Sequence, residues 1–297
     1  YIIFLCYTIL PNKMSHKTYL FRLIKSMITW VFMFCLIQKS YAQEDTIVVI
    51  NTNKGIMKFK LFDDTPTHKR KFLDLVRTGY YDSLMFHRII KDLMIQGGEP
   101  DARFAVPAKA SSIENPDCIL KQEISSQRFH KRGALAAVNQ NDERPNSKSS
   151  CICQFFIVLG KRFSDKDFQS LEIRRENQLK QKMINVYLSM PEHKLLKDRY
   201  DAHLEARNND SLNTIRKTIM PFIEADLKNE KIRKFTIEEK RIYATLGGAP
   251  HLDGNYTVFG ELIEGWETLD KIAAIEVVGN GKPKEELRIQ VYTEVVK

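Results

Sequence analysis

Between residues 45 and 97 the apolar and polar positions change over in short runs. Met57, Phe59 and Leu61 fall on one side of the stretch 55–62, against Ile56, Lys58, Lys60 and Phe62, an imperfect period of two that predicts a strand. Residues 46–51 supply its partner, and a tight Asn53-Lys54-Gly55 turn joins the two as a hairpin. Thr65-Pro66 then offers an N-cap and a proline at the first helical position. Phe72, Leu75 and Val76 recur at helical spacing, and Gly79 is placed to stop that helix. Further strands are predicted at 85–90, 93–97, 133–139 and 153–159. Many short strands with few helices predict a mainly β sandwich or barrel.

The pattern changes over 161–243. Apolar residues now fall three and four apart, in the stripes Leu179, Met183, Val186, Met190 and Leu212, Ile215, Ile219, Ile223. Thirty-three of these 83 residues are charged, and there is no glycine. Ser164 with Asp165 and Asp167 opens a helix, and Thr236 with Glu239 forms a capping box for a last short one. Pro191 is expected to separate the first two helices, and Pro221, inside the third, to kink or end it. Both signs of charge mix on the polar faces, which fits a solvated helical hairpin better than a membrane-lying helix. After residue 244 the β pattern returns over 256–262 and 287–296, with a short helix at 266–273. One β domain, 43–160 and 244–297, is therefore interrupted by a helical insertion of three or four helices.

Charge alters the picture once it is located. The formal +9 of the 297 residues would invite a polyanion-binding reading. Residues 1–42 carry five basic residues (Lys13, Lys17, Arg22, Lys25, Lys39) and no acidic one, and 161–243 holds 19 basic against 14 acidic. What remains has 22 against 23, so the β domain is close to neutral and presents no basic stripe for nucleic acid. The N-terminal surplus has another explanation. From Met14, a candidate start, Lys17, Arg22 and Lys25 precede an apolar run of about 11 residues (27–37) and a Ser40-Tyr41-Ala42 cleavage pattern, the layout of a signal peptide too short to span a bilayer. The chain is expected to be exported, periplasmic or secreted, with no stable membrane insertion after cleavage. An uncleaved anchor is the lesser alternative.

A cleaved chain keeps Cys118, Cys151 and Cys153 in an oxidising compartment. Cys151 and Cys153 flank one residue and would strain if joined to each other. Either can pair with Cys118, and one must stay outside such a bridge. No His or second Cys pair stands at zinc spacing, so no metal and no cofactor are expected.

Three segments remain. They are Phe86-His87-Arg88-Ile89-Ile90-Lys91-Asp92-Leu93-Met94-Ile95-Gln96-Gly97-Gly98, then Gln154-Phe155-Phe156-Ile157, then Leu252-Asp253-Gly254-Asn255-Tyr256-Thr257-Val258-Phe259-Gly260. In that order they resemble the signature segments of the cyclophilin-type peptidyl-prolyl cis-trans isomerases. The resemblance covers the whole β domain. It implies a closed eight-stranded antiparallel β-barrel capped by two helices, with a proline-binding groove on the outer face and 161–243 in place of a short loop. It also implies roles. Arg88 and Gln96 would be catalytic, and Leu93, Met94, Val138, Asn139, Gln154, Phe156, His251, Leu252 and Tyr256 would hold the substrate, Asn139 through its backbone. His87 is left to the scaffold.

Elementary chemistry makes sense of these residue types. Amide resonance sets a barrier of about 18–20 kcal/mol, and the two isomers of an X-Pro bond are close in energy. No nucleophile or metal is needed. A dry pocket for the pyrrolidine ring helps, as does a donor such as an arginine guanidinium aimed at the amide nitrogen, whose lone pair is released only in the twisted transition state. His251 stands where many eukaryotic members carry tryptophan, Tyr256 where they carry histidine, Ala137-Val138 where Met-Ala is usual, and Cys153 where serine is usual. These departures are expected to reshape the subsites and weaken cyclosporin binding. The expected function is isomerisation of X-Pro bonds in exported proteins by a monomer whose partners are proline-containing polypeptides and not nucleic acid. The alternative is a proline-segment binding module or chaperone in which the helices recruit clients. Because both ends of the insertion adjoin pocket residues, a lid or an added specificity wall is a further expectation.

Overall fold

In the computed structural model, Lys25 and residues 45–99, 118–139, 149–230 and 233–296 are described. Apart from Lys25, the expected signal peptide at 1–42 lies outside them. Strand β1 (Asp45–Thr52) turns through Asn53-Lys54 into β2 (Gly55–Leu61), with Thr52 paired to Gly55 and Val49 to Lys58. Met57, Phe59 and Leu61 point inward and are buried, while Lys58 lies outside between Glu264 and Glu294. Helix α1 (Pro66–Arg77) follows, and its buried Phe72, Leu73 and Val76 close one end of the core.

The other strands are β3 (Phe86–Ile90), β4 (Met94–Gly97), β5 (Ile119–Lys121), β6 (Ala134–Asn139), β7 (Ser149–Val158), β8 (Val258–Glu264) and β11 (Ile289–Val296). A two-stranded hairpin, β9 (Val277–Val278) and β10 (Lys282–Pro283), precedes β11. The sheet runs β11-β1-β2-β8-β6-β7-β4-β3, with β5 added on β7. The two ends of this eight-strand path meet. Met85 bridges Arg288, Phe86 N donates to Leu287 O at 2.9 Å, and Ile289 N donates to Leu84 O at 2.8 Å. The sheet therefore curls around a core in which Phe72, Tyr81, Phe86 and Phe155 pack edge-on or tilted. Helices α1 and α6 (Trp266–Ala273) cover this core.

Strands β6 and β7 are buried on both faces, which accounts for the consecutive apolar residues 134–138 and 155–158. Leu135, Ala137, Phe155 and Ile157 face the interior. Ala134, Ala136, Val138, Phe156 and Val158 face outward into a second apolar cluster with Met94 and Val258. Strand β7 begins four residues earlier than the sequence predicts. It carries a bulge, because Ala137 pairs with Phe155 but Val138 with Cys151. Cys153, within that bulge, is bonded to Cys118 across a Cα separation of 5.3 Å, and the buried Cys151 lies beside the bridge without joining it.

Four α-helices occupy the region between β7 and β8: α2 (Asp165–Leu188), α3 (Lys194–Glu205), α4 (Asn209–Asn229) and α5 (Ile237–Thr245). Both expected caps form, Ser164 with Asp167 and Thr236 with Glu239. A 3-10 turn at Pro191–His193 separates α2 from α3. Of the two outcomes expected at Pro221, a kink or an end, the end does not occur, since α4 runs on to Asn229. That proline and Lys217, whose carbonyl loses its donor, lie on the exposed face, where water can satisfy the oxygen. The stripe on α2 is also displaced. Ile184 and Leu188 meet Tyr200, Leu212, Ile215, Ile219 and Ile223, whereas Val186 is exposed. A 24-residue helix meets two partners in turn, since Phe168 at its start packs with Phe163, Phe235 and Tyr243, so no single stripe fits its whole length.

The chain leaves and rejoins the barrel at one crossing. Lys161 bridges Gly248, and a Cβ on Gly160 would stand 2.2 Å from Gly248 Cα. Gly248 itself has φ +150, and a Cβ there would lie 2.3 Å from His130 O. Strain and overpacking each cost about 1–3 kcal/mol, so Gly248→Ala is expected to lower the unfolding free energy by about 2 kcal/mol or more, read from urea midpoints. A wild-type midpoint would contradict this packing.

Candidate active site

Arg88 and Gln96 are register partners across the β3–β4 hairpin, so their side chains leave the sheet on the same face. The register slips between Phe86 and Arg88, which allows Phe86 to enter the core while Arg88, two residues on, faces outward. Strand β10 lies along β3. Ile89 N donates to Gly281 O at 2.8 Å, and Arg88 Nε donates to Asn280 O at 3.4 Å. The guanidinium is thus held at its base, with its outer nitrogens left to face the sheet's outer surface.

Gln96 is buried at 9% exposure and is oriented from behind. A carboxylate can only accept, so Glu99 takes the amide N–H of Gln154. The carbonyl of Gln154 then accepts from Gln96 Nε2 at 2.7 Å. This relay leaves Gln96 Oε1 as the end of the amide not used by Gln154. Asn139 is also fixed, since its Oδ1 accepts from Gln122 at 2.5 Å and its Nδ2 donates to Asn255 O at 2.6 Å.

An open cavity of about 350 Å³ is lined by Arg88, Ile90, Leu93, Met94, Gln96, Val138, Asn139, Phe156, Leu252 and Tyr256. Its floor is aromatic. Phe156 and Tyr256 meet at right angles with centroids 5.6 Å apart, and His130 stacks on Phe156 at 6.1 Å. Behind them lies the carboxylate of Asp253, 3% exposed. It accepts from the backbone N and Nδ1 of His130, both at 2.9 Å, and from Tyr243 O–H at 2.6 Å. Burial and the charge of Asp253 push the Tyr243 phenol upward, so it stays a donor. The site combines one cation, a buried amide relay and an apolar well. Among the described residues no cluster of His, Cys, Asp and Glu could hold a metal.

The sequence profile of the family "Cyclophilin type peptidyl-prolyl cis-trans isomerase/CLD" matches residues 47–183 and 229–294. The chain belongs to that family. A Staphylococcus epidermidis protein named for peptidyl-prolyl cis-trans isomerase activity is 31% identical over 255 residues, covering 86% of this chain and 94% of its own length. A Staphylococcus aureus protein of the same name is 30% identical over 255 residues, with the same coverage of both chains. Among solved structures, a Cryptosporidium parvum cyclophilin-type isomerase covers 86% of this chain and 99% of its own, at 21% identity and TM-score 0.47. This protein is a peptidyl-prolyl cis-trans isomerase, and it acts on proline-containing peptides.

The cyclophilin-type groove gathers nine of the eleven residues singled out in the sequence and adds Ile90. Period-two alternation from Arg88 would have pointed to Ile90. Gln154 stands behind Gln96 as its orienting partner. His251 lies elsewhere, lining a separate cavity with Arg174, Arg175 and Arg233, because the chain reverses at Leu252 and presents adjacent side chains to opposite sides. Among the described residues none of 161–243 lines the groove, so the expected lid is not seen in them. The β9–β10 hairpin behind Arg88 had no sequence signal beyond its glycines.

Beside Arg88, His87 is largely buried with its Nδ1 unpartnered, and burial together with the neighbouring guanidinium lowers its pKa to about 4. The folded state therefore resists a proton that the unfolded chain accepts below about pH 6.5. Stability should fall as pH drops from there toward 4, at up to about 1.4 kcal/mol per unit from this residue. His87→Gln should flatten that slope in urea titrations between pH 7 and 4.5, and an unaltered slope would remove His87 as its source. Tyr243→Phe strips a donor from the buried Asp253 and should cost about 1–3 kcal/mol of stability, read from thermal unfolding.

Proposed function

We propose that isomerisation runs through Arg88 as donor to the prolyl amide nitrogen while the pyrrolidine ring sits in the well formed by Met94, Phe156, Leu252 and Tyr256. The observation that carries this reading is the shared face of Arg88 and Gln96 at the rim of an apolar cavity. Twisting the X-Pro bond localises the nitrogen lone pair, and a donor that meets it only in that geometry lowers the barrier selectively. Gln96, its Nε2 occupied by Gln154, offers its oxygen to a substrate N–H or to the guanidinium. Leu93, Val138 and Asn139 bound the flanking residues, with the Asn139 backbone pairing to the substrate chain.

The clients in this reading are polypeptides outside the cytoplasm, which the enzyme assists in folding, and the working unit is a monomer. The signal-like pattern of residues 14–42 supports export, and so does the Cys118–Cys153 bond, since such bonds persist in oxidising compartments. Arg88→Ala should reduce kcat/KM on a proline tetrapeptide by about tenfold or more, equivalent to ~1.4 kcal/mol, with the unfolding midpoint retained. A folded variant of wild-type activity would rule out the donor role.

A further inference from the structure

Beside the groove lies a second cavity, of about 460 Å³, between the start of α2, the segment before α5 and the loop 251–255. Arg174, Arg175, Arg233 and His251 line it, with Gln178 and Asn255 as neutral polar groups. Its one acidic lining residue, Asp253, is consumed by His130 and Tyr243. The acids nearby are engaged as well. Glu172 accepts from Phe235 N at 3.0 Å, and Glu239 accepts from Arg233 and from Thr236 N. Among the described residues neither Arg174 nor Arg175 has a carboxylate partner.

Arg175 is a fixed part of the wall. Its guanidinium lies over the Phe235 ring at 4.1 Å and donates to Pro250 O at 3.2 Å and Arg233 O at 3.3 Å. Burial and the Arg233 charge lower its pKa, and His251 is lowered by burial, His130 and the arginines, so the cluster is held together at a cost in like-charge repulsion. A solvated face would let these side chains spread apart. Here one is bonded to the barrel's own backbone.

The cavity adjoins the proline groove. His251 lines one and Leu252 the other, and consecutive Cα atoms are about 3.8 Å apart. Asn255, on the basic side, accepts through its carbonyl from Asn139 on the groove side. We propose that this cavity is a subsite for the carboxylate of an aspartate or glutamate within about three residues of the isomerised proline, so that the enzyme favours acidic X-Pro segments. The proposal rests on the groove's being the isomerase site, and it gives the helical insertion a part in choosing substrates.

The test is kcat/KM on peptides carrying Glu, Gln or Lys at each of the three positions before and after proline, for the wild type, Arg174→Gln, Arg174→Glu and, as a control on net charge, Lys217→Gln on the exposed face of α4. At one position or more, Glu should exceed Gln by about threefold or more at low ionic strength, with Lys below both, and the preference should fade above about 0.5 M salt. The readout is the Glu/Gln ratio within each variant, which a general loss of activity does not move. Arg174→Gln should bring it to about one and Arg174→Glu should invert it, while Lys217→Gln retains it. A ratio of one at every position in the wild type, or one that Arg174→Gln leaves intact or Lys217→Gln abolishes, would overturn the subsite. Should the Gln peptides not be turned over at all, the isomerase assignment of the groove is what fails. The same ratio is then read from fluorescence anisotropy of the labelled peptides.

Discussion

One buried carboxylate holds the functional part of this molecule together. Asp253 accepts from the backbone and ring of His130, on the barrel, and from the hydroxyl of Tyr243, on α5. An ionised group at 3% exposure is expensive to bury, and three donors offset that cost. By fixing Asp253 they fix the reversal of chain that carries Leu252 and Tyr256 into the proline well and His251 out of it. His130, held from the same oxygen, stacks under Phe156. The well is therefore held by a charge that does not itself line it.

The barrel contributes a second economy. Strands β6 and β7 use both of their faces, one for the core and one for the floor of the groove, and the outer cluster of Met94, Ala136, Val138 and Phe156 is small enough to leave room for a pyrrolidine ring. Small residues at 134 and 136 keep the wall low. The amide relay from Glu99 through Gln154 to Gln96 crosses this apolar region and leaves one oxygen, Gln96 Oε1, at the groove end.

Much of this could be read from the sequence. Period-two alternation located β1, β2 and β11 closely, and capping residues placed the starts of α2 and α5 at Ser164 and Thr236. The signature segments brought nine site residues to one cavity. What could not be read depends on tertiary partners. Periodicity cannot say that α2 changes neighbours along its length, nor that Pro221 faces water. Spacing left Cys118 two candidate partners, and the bulge at 152–154 decides for Cys153. The basic cavity was invisible because its members are spread over 174–255 and meet only when α2 folds back on the loop.

The crossing of Gly160 and Gly248 sets how the inserted helices relate to the barrel. Their chain departs and returns through two glycines in contact, so the strands receive the same end-to-end constraint however long the intervening segment is. The cost of closing a loop grows only with the logarithm of its length. The helices then divide into a root and a crown. Phe163, Phe168, Phe235 and Tyr243 form the root, which packs on the barrel and grips Asp253; residues 183–227 form a crown with its own core. The family profile passes over 184–228, almost the span of that crown. A longer or shorter crown would therefore cost the barrel little, because the root alone carries the contacts that shape the active site.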